Sequence, residues 1–186
     1  FSLLTNDDAG VVSIDNPSNP ISTGVQNVDV TFQNFGLNDI TSCDIEWEVN
    51  GTPQTPYNWT GTLTSGSSPA STTIGTFDFQ TGTTVMKVWT SQSNATADPN
   101  NGNDTLEIFV CTSLAGGNYT IGATGDYLTF NDAVNAITSC GIAGPVEFTV
   151  EPGVYNESIR LYEITGASTM NTITFNGVDT SLVTIT

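Results

Sequence analysis

Histidine is absent from this 186-residue chain, and Lys87 and Arg160 are its only basic side chains. Without imidazole there is no Ser-His-Asp or Cys-His arrangement and no histidine-ligated metal. Against those two basic residues stand 19 acidic ones, for a formal net charge of −17. Lys and Arg are what neutralise phosphate groups, so nucleic acid is excluded as a partner. Attraction to an anionic membrane surface is excluded for the same reason. Long apolar runs are missing too, and nothing approaches the ~18 residues of a transmembrane helix. No charged-then-apolar leader precedes the first turn signals, and residue 1 is Phe. The expectation is a secreted protein whose signal was removed or lies before Phe1.

What remains is a surface of Thr, Ser, Asn, Gln and Gly carrying isolated carboxylates, which attracts divalent cations. Cysteine is scarce and odd in number, at three. Cys111 closes the first β-rich region and Cys140 closes a helix signal in the second. A Cys111–Cys140 bridge would contribute roughly 3–4 kcal/mol by loop closure and leave Cys43 over. The alternative is three buried thiols, since free cysteine is among the most buried residue types.

The first region alternates apolar and polar residues with a period of two. Val28, Val30 and Phe32 do so, as do Ile45, Trp47 and Val49, and Leu106, Ile108 and Val110. Turn residues recur between these runs, with Asn50-Gly51 and Asn101-Gly102 as hairpin-type turns. This pattern predicts an antiparallel β-sandwich over residues 1–111, with about seven strands. The small-residue junction around Gly116 and Gly117 then separates it from residues 112–186. There Thr129 is a good N-cap, Phe130, Ala133, Val134 and Ile137 share one face, and Gly141 is a stop signal. Short strands are expected at 146–150, 158–161, 173–175 and 182–185.

Two stretches resemble known families. The run from Val28 to Gly36, with Ile45-Glu46-Trp47-Glu48-Val49-Asn50-Gly51, Trp59-Thr60-Gly61, Lys87-Val88-Trp89-Thr90 and Asn103-Asp104-Thr105, resembles Ig-like CARDB adhesion modules. The run from Gly125 to Val134, with Pro152-Gly153-Val154-Tyr155-Asn156-Glu157, resembles the start of pectin-lyase-like β-helices. The implied fold is all-β: an Ig-like sandwich followed by the helix-capped first coil of a right-handed parallel β-helix. In those proteins a Gly-x-Tyr-x-Glu turn joins two strands of the first coil. Together the pair is similar to multidomain surface and gliding adhesins of Bacteroidetes, exported by the type IX pathway. Solenoid coils bury their apolar faces only against neighbours. Further coils, or another chain, are therefore expected to cover the last one.

Candidate sites follow from the loop Asp98-Pro99-Asn100-Asn101-Gly102-Asn103-Asp104, which packs oxygen donors closely. Asp98, Asn100, Asn103 and Asp104 are the candidate calcium ligands. The loop is no EF-hand, because Gly102 stands at its fifth position and Phe109 replaces the closing glutamate. The alternative is a polar hairpin loop whose Asn-Gly supplies positive φ. Asn6-Asp7-Asp8 could join the site only if folding brings it near. Asp104-Thr105-Leu106 matches the Bacteroidetes O-glycosylation pattern at Thr105, or else is an ordinary strand entry. Trp47, Trp59, Trp89 and Tyr57 could form a sugar-stacking platform, although alternation favours core packing for Trp47. Asp126 and Glu157 are the nearest to a glycosidase-like carboxylate pair, and both read as structural; no catalytic residue is assigned.

The expected function is a non-enzymatic extracellular adhesion or structural module of a large surface or filament protein. Its expected partners are other cell-surface proteins or extracellular polysaccharide. The alternatives are the amino-terminal part of a secreted polysaccharide-active enzyme, or a carbohydrate-binding protein.

Overall fold

The computed structural model describes residues 5–98, 100–179 and 181–186; Pro99 of the candidate loop lies outside them. The chain is all-β apart from short helical segments. It divides into two compact units. The first comprises Phe1–Ser18, Gly24–Asp78 and Thr84–Val110; the second comprises Asn19–Thr23, Phe79–Thr83 and Cys111–Thr186.

The first nine strands are β1 (Ala9–Asn16), β2 (Ile21–Ser22), β3 (Gly24–Asn34), β4 (Ile40–Val49), β5 (Thr52–Pro53), β6 (Tyr57–Leu63), β7 (Thr72–Phe79), β8 (Gly82–Ser91) and β9 (Thr105–Ser113). One sheet has the order β1-β3-β7. The other runs β2-β9-β8-β4-β5, with β6 also pairing β4. Period-two burial follows from the pleat: Val28, Val30 and Phe32 on β3 and Ile45, Trp47 and Val49 on β4 point inward. The two sheets face each other at named contacts. The Phe32 and Trp59 rings meet edge-on with centroids 5.3 Å apart. Gly75 of β7 lies so close to the Trp47 ring that a Cβ there would sit 2.7 Å from it. Any side chain at 75 would displace that indole. Trp47 Nε1 donates to the Thr55 carbonyl at 3.0 Å, which satisfies the buried indole.

Asn50-Gly51 forms the β4–β5 turn, with φ 49° and 75°, as a type I′ hairpin demands. Asn101-Gly102 does not behave alike, because Gly102 is outside the positive-φ region. The left-handed residues nearby are instead Gln92, Asn94 and Ala95, with φ of 53°, 53° and 59°. Asn94 is held there from both ends of its amide: Thr41 N donates to Oδ1 at 2.7 Å, and Nδ2 donates to Asp7 Oδ1 at 2.6 Å.

In the second unit β10 (Gly117–Ile121), β11 (Val146–Val150) and β13 (Ile173–Gly177) pair in parallel without a register shift. β12 (Gly153–Tyr155) and β14 (Val183–Ile185) form a second parallel pair. Residues in register stack, so Tyr119, Phe148 and Phe175 form a column with centroids 5.9 and 4.9 Å apart. Tyr127 and Phe130 close on its sides, at 5.7 Å from Phe148 and 5.8 Å from Phe175.

Helix α1 (Phe130–Cys140) begins at Thr129, whose hydroxyl accepts the Asp132 amide at 3.1 Å. It stops at Gly141, where φ is 78°. Its buried residues are Phe130, Ala133, Val134, Ile137 and Cys140. A second cap comes from outside the helix: Glu157 Oε1 and Oε2 accept the Phe130 and Asn131 amides at 3.0 and 2.9 Å. These are first-turn N–H groups with no intrahelical partner, and the carboxylate also complements the helix dipole. Cys111 and Cys140 are disulfide-bonded, which ties the end of β9 to the last residue of α1.

Two expectations are corrected here. Residues 158–161 form no strand, although Ile159 is half-buried and Arg160 exposed as alternation would have it. The Gly-x-Tyr-x-Glu stretch is not a turn between strands, since Gly153–Tyr155 is itself β12. The side-chain pattern of an extended segment is local, whereas a ladder partner is supplied by residues far away in sequence.

Candidate metal centre

The loop between β8 and β9 carries Asp98 and Asp104, and the entry to β1 carries Asp8. Folding brings one oxygen from each of these three carboxylates within 4.8 Å of the others. All three residues are buried, Asp8 at 3%, Asp98 at 9% and Asp104 at 6% exposure. Asp8, only a conditional member on sequence grounds, is one of the three.

Hydrogen bonds fix the geometry. Asp8 accepts Thr5 Oγ1 at 2.7 Å, Asn100 Nδ2 at 3.1 Å and Asn103 Nδ2 at 2.8 Å. Asp98 accepts the Ala9 amide at 2.8 Å, the Asn100 amide at 2.9 Å and Ser93 Oγ at 3.3 Å. The Asp104 carbonyl accepts the Thr90 amide at 3.2 Å, which anchors the loop to β8. With its amide turned to donate, Asn101 gives N–H groups to Asp98 O at 3.0 Å and Asp104 Oδ2 at 3.1 Å. Gly10 allows the loop to close over β1, because a Cβ there would lie 2.5 Å from the Asn103 carbonyl oxygen.

Two buried oxygens of this loop have no donor among the described residues: Asp104 Oδ1 and Asn103 Oδ1. No cationic side chain bonds the triad among the described residues. Lys87 pairs with Glu48 at 3.6 Å and lies over the Trp89 ring, and Arg160 belongs to the second unit. Burial first, then the Asp98 and Asp8 charges, push the Asp104 carboxyl up to about 7. Buried carboxylates are costly without a cation, and a hard divalent ion takes all-oxygen sets of this kind. Asp8, Asp98 and Asp104 therefore fit such an ion, and Asn103 Oδ1 is a further buried oxygen of the same loop without a donor. Asn100 acts as a donor to two of the carboxylates and buttresses them.

The other candidate residues are more dispersed. Thr105 opens β9 and is exposed. Trp47 is buried, Trp59 packs on Phe32, and Trp89 carries Lys87. Cys43 is a free, buried thiol pushed up to about 12 by burial. Asp126 Oδ2 is occupied by the Thr120 amide and hydroxyl at 2.8 and 2.9 Å, which lower its pKa. Glu157 is occupied by α1. No helix among the described residues is long and apolar enough to cross a membrane.

No protein-family model and no curated protein matches the chain. Among solved structures it is similar to a domain described as part of a cell surface protein of Methanosarcina acetivorans. That domain is 26% identical, with 58% of this chain and 93% of the domain covered and a TM-score of 0.49. The chain is also similar to a CARDB domain of Pyrococcus furiosus in complex with di-metal ions, at 20% identity. There 60% of this chain and 97% of that domain are covered, with a TM-score of 0.45. A solution structure of the same Pyrococcus domain gives 0.44.

Proposed function

We propose that this chain is a non-enzymatic extracellular module of a large bacterial surface protein, closed by a divalent cation that is calcium in its native setting. The observation that carries this is the buried Asp8–Asp98–Asp104 triad with Asp104 Oδ1 and Asn103 Oδ1 left without donors. The ion would staple the strand entry at residues 5–9 to the loop at 98–104, sealing one end of the sandwich. Extracellular modules bind calcium at about 10⁻⁴–10⁻³ M, the range in which such a staple is filled outside a cell. The net charge of −17 and exposed Thr105, as an O-glycosylation site, suit the same setting.

In this reading the second unit is the helix-capped first coil of a right-handed parallel β-helix. Its support is the unshifted parallel register of β10, β11 and β13 and of β12 and β14. The resemblance to Bacteroidetes adhesins extends the reading to type IX export and to partners that are other surface proteins or extracellular polysaccharide. Asp126 and Glu157, the nearest carboxylate pair, are spent on backbone amides, which favours a structural over a catalytic role.

Hydrogen exchange with calcium or with chelator tests the staple. Protection of the amides of Ala9 and Asn100 should rise with calcium. Equal protection in both conditions would contradict it.

A further inference from the structure

A cavity of about 320 Å³ adjoins the carboxylate triad within the first unit. Asp98 and Asp104 belong to both the cavity lining and the triad. The other lining residues include Trp89, Gln92, Asn101 and Thr105. Asp104, 6% exposed, has an oxygen with no donor, which marks this carboxylate as a ligand waiting for a partner.

We propose that this cavity binds a neutral, hydroxyl-rich sugar whose adjacent hydroxyls complete the coordination of the triad's cation. The inference rests on the cation reading above and deepens it. Calcium takes about six to eight oxygens, whereas the triad brings together one oxygen from each of three carboxylates. The positions left over fall to water or to a ligand with paired oxygens. The cavity volume lies near the lower end of the ~300–1,000 Å³ of small-molecule sites.

Its lining selects the class of ligand. The Gln92 amide offers donors and an acceptor and the Asn101 amide oxygen a further acceptor suited to hydroxyls, and Trp89 adds a flat apolar body against which a sugar's C–H face can rest. An apolar ligand would strand those polar groups. An acidic sugar would meet a protein of net charge −17 with no basic side chain in the lining.

Isothermal titration of the full chain with calcium chloride, then with methyl α-D-mannopyranoside and methyl β-D-galactopyranoside, tests this. Cyclohexanol serves as the ring lacking adjacent hydroxyls. The expected result is saturable glycoside binding in calcium, none in chelator and none with cyclohexanol. Trp89→Ala and the gentler Trp89→Leu should each weaken the glycoside by about tenfold or more and leave calcium affinity unchanged. If calcium binds but neither glycoside does at about 50 mM, the sugar site is overturned and the cation staple stands. If calcium itself does not bind, both fail. Glycoside binding that persists in chelator, or that both variants leave unchanged, also overturns the proposal.

Discussion

The two units solve the same problem, burying strand faces, by opposite means. In the first, antiparallel strands pair across two sheets, and polar side chains sew up the loops. Asn34 shows the method: it is fully buried, gives Nδ2 to the Asn38 and Leu63 carbonyls at 2.8 Å each, and accepts the Gly36 amide at 2.8 Å. In the second, parallel strands stack like on like, and an aromatic column provides the cohesion. There burial depends on neighbours. Val146, Phe148 and Val150 of β11, flanked by β10 and β13, are all buried, while Ile173 and Phe175 of β13 are half-buried. The sandwich closes on itself and can spend loop residues on a polar site; a stack stays open wherever its next layer is not supplied.

The comparison breaks first at Phe148. Truncating this fully buried ring should cost about 3–5 kcal/mol, and Phe175→Ala should cost clearly less because that ring has one stacked neighbour. Chemical denaturation measures both, and equal losses would show that stacking neighbours do not set burial energy here. Next comes the bridge. Replacing both Cys111 and Cys140 by Ser opens a loop of separation 29 and should remove roughly 3–4 kcal/mol. Buried Cys43, by contrast, should resist thiol reagents in either form until the protein unfolds. Thr129→Ala should cost about 1 kcal/mol by removing the N-cap. That loss is modest because Glu157 still holds the first two helical amides.

Much of this was legible because it is local. The α1 boundaries follow from Thr129 and Gly141, and the type I′ turn from Asn50-Gly51. The buried strand faces follow from period-two alternation. What escaped was non-local. Asp8 reaches Asp98 and Asp104 from about ninety positions away, and no spacing rule announces that meeting. β12 was missed because its parallel partner, β14, lies far along the chain, and at residues 158–161 the alternation fails, with Leu161 exposed beside Arg160. Asn101-Gly102 misled for a different reason. Its amide is recruited by the Asp98 backbone carbonyl and the Asp104 carboxylate, so the loop is shaped by these contacts and not by hairpin geometry.

A subtler test concerns pH. Without a cation, Asp104 holds its proton up to about 7, against 3.8 for the ordinary carboxyl. The folded state binds that proton more tightly than the unfolded chain. Its contribution is therefore fully present below about pH 4 and lost as pH rises through about 7. In chelator, the stability of the wild type relative to Asp104→Asn should fall across that window. Saturating calcium should flatten the difference, and an unchanging difference in chelator would remove Asp104 from the account.

The staple itself is tested most directly by calorimetric titration of calcium into the chelator-treated full chain and its Asp104→Asn variant near neutral pH. The account predicts saturable binding at about 10⁻⁴–10⁻³ M for the wild type, with a matching rise in thermal stability, and loss of both in the variant. A wild type that takes up no calcium, or a variant that binds it equally well, would contradict it.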